Sequence, residues 1–593
     1  LFTALIIRWK LLTCLIILYG DGMFKLIFTL IVFSPLILLN AHAQKDTEDV
    51  DTAKTYKVPS ITVTTMRAFE RENPVPFVEM SEAEIQNQYT VHDIPTLLNS
   101  QPSILTYSQS GNAIGYSNMK MRGFGQRRIS VMINGIPQND PEDHNVYWIN
   151  FPDLTESLDN IQIQRGAGMA SYGAAAVGGS INLTTSNFAD KQQMKISSGI
   201  GWQEYNSAGG ALEANTQKYL AEFSSGLAGN YAFYGRLSRI SSGGYRDHSW
   251  TKLNSYFFSA ARFDENLTTQ LNLFGGPIND GLVYNGIPKS WITDDSLRRE
   301  NLSFWLYDST GRNVSFTQQR REQAVEEFSQ PHYELLNDWS ITGNLTLKSA
   351  LFYYTGDGYF DYDGSWASSL FTPILENSGY EMENDPQNAI IRAYVGNKHG
   401  GWIPRLIYDH ANGKLTVGTE IRLHRSEHWG KIKYAENLPA GYDPDFKFYY
   451  NEGVRDIFSV FAREMYYLSE DFSVTAEAQL VRHLYALRND RLGNQYNQFT
   501  NIDGETVSGD DRLFEIKYWF LNPRVGYNWN ITENHNTYGL VAYTSREPRM
   551  RNLYAADDHF FGATPLFDGR ITEDGTRLYN FTDPLIKPES MID

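Results

Sequence analysis

From about residue 192 onward the chain repeats one pattern, and that pattern restricts the fold more than any motif does. Apolar and polar residues alternate with period two. In "FSVTAEAQLV", Phe472, Val474, Ala476, Ala478 and Leu480 share one face, with Ser473, Thr475, Glu477 and Gln479 on the other. "LNPRVGYNWNI" and "KLTVGTEIRLH" do the same. Short turns are expected at Ala228-Gly229-Asn230, Asp264-Glu265-Asn266, Asn337-Asp338-Trp339, Asn412-Gly413, Ser469-Glu470-Asp471 and Thr532-Glu533-Asn534-His535. Between them lie long polar connections, at 276–328, 356–387, 425–455 and 488–517. Loops beyond about 12–15 residues are uncommon in compact soluble domains. Short turns alternating with long loops belong instead to transmembrane barrels of bacterial type. Six short turns imply strands two to thirteen, after a first strand near Lys195–Trp202.

Composition agrees. The formal charge of −18 argues against a nucleic-acid partner. Aromatic residues make up 14%, with 37 Tyr, and this suits Tyr-rich strand faces. No uninterrupted apolar run of spanning length follows residue 43, so helical spans are not expected.

The start of the chain reads as a leader. Met23 opens "MFKLIFTLIVFSPLILLNAHAQ", with Lys25, an apolar core from Leu26 to Leu39, and Ala41-His42-Ala43 as a cleavage signal. Residues 1–22 are expected to be an upstream extension outside the mature protein, and 23–43 the signal peptide. Cys14 is the only cysteine and lies upstream of this site, so no disulfide, thiolate nucleophile or Cys-bound metal is expected. Neither HExxH nor GxSxG occurs, and no enzyme is expected. The chain stops in "DPLIKPESMID" as another strand begins, which reads as a truncation of the barrel.

Residues 60–190 lack the hairpin rhythm. "SEAEIQN" has the Ser81/Glu84 spacing of a capping box, and "VHDIPTLLNSQPSIL" suggests a short helix followed by a loop. "IQIQRGAGMASYGAAAVGGSINLTT", residues 161–185, is rich in glycine but lacks both the G-x-G-x-x-G order and a following Lys-Ser/Thr. Its glycines are expected to allow close backbone packing rather than phosphate binding.

These segments together resemble the TonB-dependent outer-membrane transporters. "SITVTT" resembles the TonB box, and "LLNSQPSILTY" a helix and P-G-V segment with Ser103 where glycine is usual. "MRGFGQRRISVMINGIP" resembles the R-G-f…v-D-G-v-P element with Asn134 for Asp. The 161–185 stretch resembles the family's E-V-i-R-G…G-G-v-I-N element with Gln162 for Glu. "YTSREPRMRNLY" and "DPLIKPES" resemble late-barrel elements. The resemblance implies an all-β transmembrane barrel, with about 13–14 of an expected 22 antiparallel strands present and an N-terminal mixed α+β plug in the lumen. It divides the chain into a periplasmic tail (44–75) with its box at 60–65, a plug (76–190) and an incomplete barrel (191–593).

The resemblance also implies TonB-dependent active import of a scarce bulky nutrient across the bacterial outer membrane. An iron–siderophore complex is the leading cargo, with haem or cobalamin as alternatives and a passive porin-like channel as the reading of another class. The expected partners are TonB, outer-membrane lipid and a small-molecule ligand, in a monomer without a resident cofactor. Ser60, Ile61, Thr62, Val63, Thr64 and Thr65 would pair with TonB by strand addition. Arg122 and Arg165 of the plug would lock against inward carboxylates of the wall, Glu420 and Glu477. Tyr107, Tyr116, His144, Tyr147 and Trp148 are the ligand-binding candidates. His559 would be an axial haem ligand if haem were the cargo.

Overall fold

A computed structural model describes residues 67–166, 177–185, 188–190, 192–204, 212–303, 305–307, 314–316, 325–365, 368–554 and 565–593. The leader, the TonB-box segment and His559 lie outside the described residues.

The alternating half of the chain forms the barrel wall. Among the described residues its strands are Gln192–Glu204, Leu212–Ser225, Tyr231–Ser242, Thr251–Phe263, Leu267–Gly275 continued by Pro277–Gly281, and Val325–Ser329 continued by His332–Thr342. They go on through Leu345–Asp363, Gln387–His410, Gly413–Glu436, Tyr449–Tyr467, Phe472–Leu492, Arg512–Thr532 and His535–Arg546, and a fourteenth begins at Glu589–Ile592. Each pairs antiparallel with its neighbours in sequence. No helix among the described residues is long and apolar enough to cross a membrane.

Two sequence expectations need correction. Asn337-Asp338-Trp339 is not a turn. It lies within the strand His332–Thr342, and the chain reverses at Gly343-Asn344, before Leu345. The polar pair Asn337-Asp338 mimics a turn locally, but the period-two alternation continues through it. The supposed loop at 425–455 is largely strand, and that at 356–387 begins as strand and carries the helix Ser368–Asn377: pairing runs on to Asp363 and Glu436 and resumes at Gln387 and Tyr449. Strands of 24 residues far exceed the roughly 9–11 needed to cross the hydrocarbon layer. The excess projects on the long-loop side, where water solvates the outward polar residues.

The outward face carries the lipid-facing signature. On Arg512–Thr532, Trp519, Leu521, Val525, Tyr527, Trp529 and Ile531 are all exposed, while Asn522, Arg524 and Asn528, alternating with them, are buried toward the lumen. Apolar side chains outside and polar ones inside invert the soluble arrangement, as a barrel in lipid requires.

The plug is built around a mixed sheet in the order Phe77–Ser81, Leu158–Arg165, Gly179–Thr185, Ile129–Ile133, Ile136–Pro137. Ser81 caps the helix Glu82–Gln88 with the reciprocal Glu84 contact the sequence announced. A side chain at Gly179 would run into Met121 Sδ and meet the Gln164 carbonyl at 2.6 Å, so this glycine serves packing. The plug's orientation follows from its two ends. Arg71 donates to the carbonyls of Thr532 and Glu533 at a short turn. At the opposite end, Tyr245 and Arg246 of a long-loop segment donate to the Ser110 carbonyl.

Candidate functional site

The strand Ile129–Ile133 and the strand Leu158–Arg165 are joined by an irregular connection that lies along the inner wall. Asn134 and Gly135 both have positive φ, which makes an Asn-Gly hairpin turn. Asn134 then reaches the wall, donating to Glu334 Oε2 at 2.8 Å. Asp140 Oδ1 accepts from the backbone nitrogens of Glu142 and Asp143, both at 2.9 Å, and this side-chain turn presents Glu142 and His144 to the wall.

Glu142 accepts from Ser426 Oγ at 2.6 Å and lies 2.9 Å from His428 Nε2. Burial raises its pKa, but the His428 and His424 imidazoles and the Ser426 hydroxyl outweigh it and hold the carboxyl at about 2. His144 Nε2 lies 3.3 Å from Glu547 Oε1 and 3.2 Å from the Tyr485 hydroxyl. Burial lowers the His144 pKa, and the Glu547 carboxylate opposes this. The same Glu547 pairs with Arg455, and its second oxygen stands 3.3 Å from His483 Nε2. Arg455 Nε also donates to the Pro141 carbonyl at 3.2 Å.

Further along, the Phe151 ring stands 5.5 Å from His332. Asp153 binds Lys218 at 2.7 Å and Arg236 at 3.2 Å, and accepts from the Tyr89 hydroxyl. Glu156 binds Lys218 at 2.7 Å and Lys195 at 2.8 Å, and Ser157 Oγ meets the Tyr234 hydroxyl at 3.0 Å.

Lys195, Arg236, His332, His424, Arg455 and Tyr485 of this seam belong to one ring of inward positions. Lys195, Glu222, Arg236, Phe257, Phe274, His332, Tyr354, His399, His424, Arg455 and Tyr485 are directly opposite one another from strand to strand. Ring contacts continue along it, stacked from Phe274 to His332 (4.7 Å) and tilted through Tyr354 (4.8 Å) and His399 (4.8 Å) to His424 (5.4 Å). The plug connection 139–157 therefore rests on a belt that is cationic at both ends and aromatic between.

The expected lock partners are not the ones the structure brings together. The structure does not bring Arg122 and Arg165 to Glu420 and Glu477. Glu420 is paired with Arg422 of its own strand at 2.7 Å, and Glu477 with Arg524 of the next strand at 3.3 Å. Arg122 lies 3.8 Å from Asp593, and Arg165 ends a plug strand with its Nε buried. Charges of both signs stand on both sides: plug Asp153 and Glu156 meet wall Lys218 and Arg236, while plug Arg122 and Arg128 meet the carboxylates of Asp593 and Glu589. Inward Glu and Arg alternate freely in these strands, and only barrel tilt selects which of them faces the plug.

The ligand candidates separate as well. Tyr107 and Tyr147 are exposed, and Tyr147 donates to Asp143 at 2.9 Å. Trp148 is buried with its Nε1 on Gln126, and Tyr116 donates to Glu326 of the wall. His144 belongs to the seam. Among the described residues no cluster of three or more His, Cys, Asp or Glu is placed to hold a metal ion.

Known proteins share this architecture. The model of the TonB-dependent receptor plug domain matches residues 70–180, and that of the TonB-dependent receptor-like β-barrel matches 263–591. The ferric citrate transporter FecA, unliganded, superposes with a TM-score of 0.59 at 14% identity, covering 80% of this chain and 63% of that one. The siderophore receptor PiuA from Acinetobacter baumannii gives 0.58 at 13%, covering 91% and 71%. The copper transporter OprC gives 0.59 at 13%, covering 88% and 68%. These identities speak for the fold alone, and the chain spans less than two thirds of FecA. No curated protein sequence matches it. With the family models covering plug and wall in turn, the chain belongs to the TonB-dependent receptors of the Gram-negative outer membrane.

Proposed function

We propose that the protein imports a scarce, bulky nutrient by a TonB-driven rearrangement of the plug, with an iron–siderophore complex as its first cargo. The observation that carries this reading is the seam at 139–157, which fixes the plug to the wall through Glu142, His144, Asp153 and Glu156. A passive channel has no use for an obstruction held by buried ion pairs. Such pairs break only when work is supplied or when water replaces the partners. The outer membrane has neither ATP nor an ion gradient, so the work must come from the inner membrane.

Ser60–Thr65 would receive it. Arg71 meets the short-turn end of the wall, the periplasmic end in barrels of this kind, and this supports the reading. Its Thr and Val favour extended pairing. The names of FecA and PiuA support an iron chelate as cargo, whereas OprC is named for copper.

The test is growth under iron restriction of a strain carrying the complete gene, a deletion, or a variant with residues 60–65 scrambled. Ferric siderophores, haem and inorganic iron are supplied separately. Failure of both mutants on ferric siderophore alone is the expected result. Failure on haem alone would reassign the cargo. Growth of both mutants on every source would remove iron from the account.

A further inference from the structure

At the long-loop end of the wall two carboxyl groups face each other outside the seam at 139–157. Leu267–Gly275 supplies nine residues, about the length that crosses the hydrocarbon layer, so its continuation Pro277–Gly281 stands beyond the membrane. There Asp280 is directly opposite Glu326 of the neighbouring strand Val325–Ser329. Both residues are buried, at 4% and 6% exposure. Tyr116, the last residue of the plug's outer loop, donates its hydroxyl to both oxygens of Glu326, at 2.8 and 2.6 Å. Ile114 and Ile149 of the plug and Ile278 and Phe328 of the wall pack beside it as apolar surface.

Two carboxylates placed so would repel each other, and like charges directly opposite destabilise a sheet. Among the described residues no lysine or arginine pairs with either one. Asp280 nevertheless hydrogen-bonds Glu326. An ionised carboxylate only accepts, so this bond needs a proton on one of the two. Glu326 already accepts from Tyr116 with both oxygens, which leaves Asp280 as the donor. Burial and the facing carboxylate push the Asp280 carboxyl well above its usual range. Burial raises Glu326 to about 7, against the hydrogen bonds from Tyr116 and Asp280. The two titrate as one unit. The other titratable groups around them are phenols and acids. Tyr147 stands near Tyr116, and Tyr284 lies beside both carboxyls with its hydroxyl on the Asp361 carbonyl at 2.7 Å. Asp361 itself is tied to Arg392 and Lys433. Within the plug, Asp93 holds Ser117 and the Gly115 nitrogen. Thr251 and Phe360, opposite Asp280 and Glu326 on the flanking strands, carry no charge.

The outer loop, residues 109–116, has further contacts with the wall. Asn112 Nδ2 donates to Ser242 Oγ at 2.8 Å, the Ser110 carbonyl accepts from the nitrogens of Tyr245 and Arg246, and Arg246 also donates to the Gln109 carbonyl. These are bonds of amides, hydroxyls and an arginine, and none of them changes its protonation near neutral pH. The Tyr116 contact differs, because its acceptor shares a proton with a second acid. We propose that Asp280 and Glu326 form a proton-dependent latch on the plug's outer loop, which stays docked while the pair holds its shared proton and is released when that proton leaves. Loss of the proton sets two negative charges opposite each other in a buried place. Water must then enter to separate them, and Glu326 withdraws from Tyr116. Both carboxyls bind protons more tightly in the docked state than in the unfolded chain. The latch is therefore fully engaged below about pH 4 and loosens as pH rises through about 7 and beyond. The pH of the medium thereby acts on the loop that begins just after Tyr107.

Hydrogen exchange of residues 108–117 would be followed by mass spectrometry on the whole protein in detergent, from about pH 6 to about pH 9, and corrected for the intrinsic pH dependence of exchange. The variants are D280N, Y116F and D93N, and unchanged protection of the plug strand Ile129–Ile133 reports that each is folded. In wild type the protection of 108–117 is expected to fall about tenfold over this range, the factor given by one unit of pKa difference between docked and released loop. D280N sets a permanent amide donor against Glu326 and is expected to keep the loop protected throughout. Y116F lacks the hydroxyl and is expected to leave the loop poorly protected at both ends of the range. D93N is expected to retain the fall, which separates the pair from the other buried acid near the loop. Constant protection in wild type, a fall that persists in D280N, full protection in Y116F, or a fall that disappears in D93N would each overturn the proposal.

Discussion

Asp153 of the plug and Arg236 of the wall form an ion pair at 3.2 Å with 1% of either side chain exposed. Few contacts in the molecule join two separate layers so completely out of water. Lys218 and the Tyr89 hydroxyl complete the shell of Asp153. The plug is therefore held by buried charge, which is strong while intact and readily exchanged for water once opened.

Replacing Asp153 by Leu leaves Lys218 and Arg236 facing an apolar side chain. Breaking a buried pair from one side costs about 3–5 kcal/mol, and plug docking is expected to weaken by that order. Protease accessibility of the plug across a urea series, with the barrel still intact on gels, measures it. The double variant Asp153→Leu/Arg236→Met is expected to recover part of the loss, because it removes both charges. Additive losses would contradict the pairing.

The plug also titrates. Asp93, buried and held by Ser117 Oγ at 2.6 Å and the Gly115 nitrogen at 3.2 Å, is pushed by burial from 3.8 to about 7. Asp140 is raised to about 7 by burial and by the nearby Asp143 and Glu142. Both carboxyls take up protons more readily folded than unfolded. Their contribution is fully present below about pH 4 and is lost as pH rises through 7. Glu142 acts oppositely: its contribution is present above about 4.5 and disappears only as pH falls toward 2. Plug melting is expected to fall between pH 5 and pH 8. Asp93→Asn and Asp140→Asn should each flatten that slope, and an unaltered slope in the double variant would refute it.

Among the aromatic candidates, exposure separates two roles. Tyr107→Ala and Tyr147→Ala are expected to weaken ligand binding while leaving plug melting unchanged, since both rings are exposed. Trp148→Ala removes a ring that is 3% exposed and should cost about 3–5 kcal/mol of plug stability. Ligand titration and melting, measured on the same samples, separate these outcomes.

Much of the fold was legible because the barrel repeats a local rule. Alternation and turn length located the wall strands, and Ser81/Glu84 announced a helix start. What failed had a common cause. The reversal at Gly343 was misplaced to 337–339 because a polar pair inside a strand looks like a turn. Strand extensions to Asp363 and Glu436 were read as loops because pairing above the membrane no longer needs apolar outward residues. The lock was assigned to Glu420 and Glu477 because they point inward. Yet so do Arg236, Lys218 and Arg455, and register between distant strands decides which reach the plug. The inward ring from Lys195 to Tyr485 draws residues from eleven strands, and no local window contains it.

The central claim, that the seam opens only under inner-membrane work, is tested most directly at Ser157. Its hydroxyl meets Tyr234 across the seam at 3.0 Å with 1% of the residue exposed, and cysteine is nearly isosteric there. A variant with Ser157→Cys as its single thiol would be treated with a membrane-impermeant maleimide in living cells, with cargo present. Labelling is expected in energised cells, and little or none after a protonophore or with residues 60–65 scrambled. Labelling that is equally fast in all three would contradict the account.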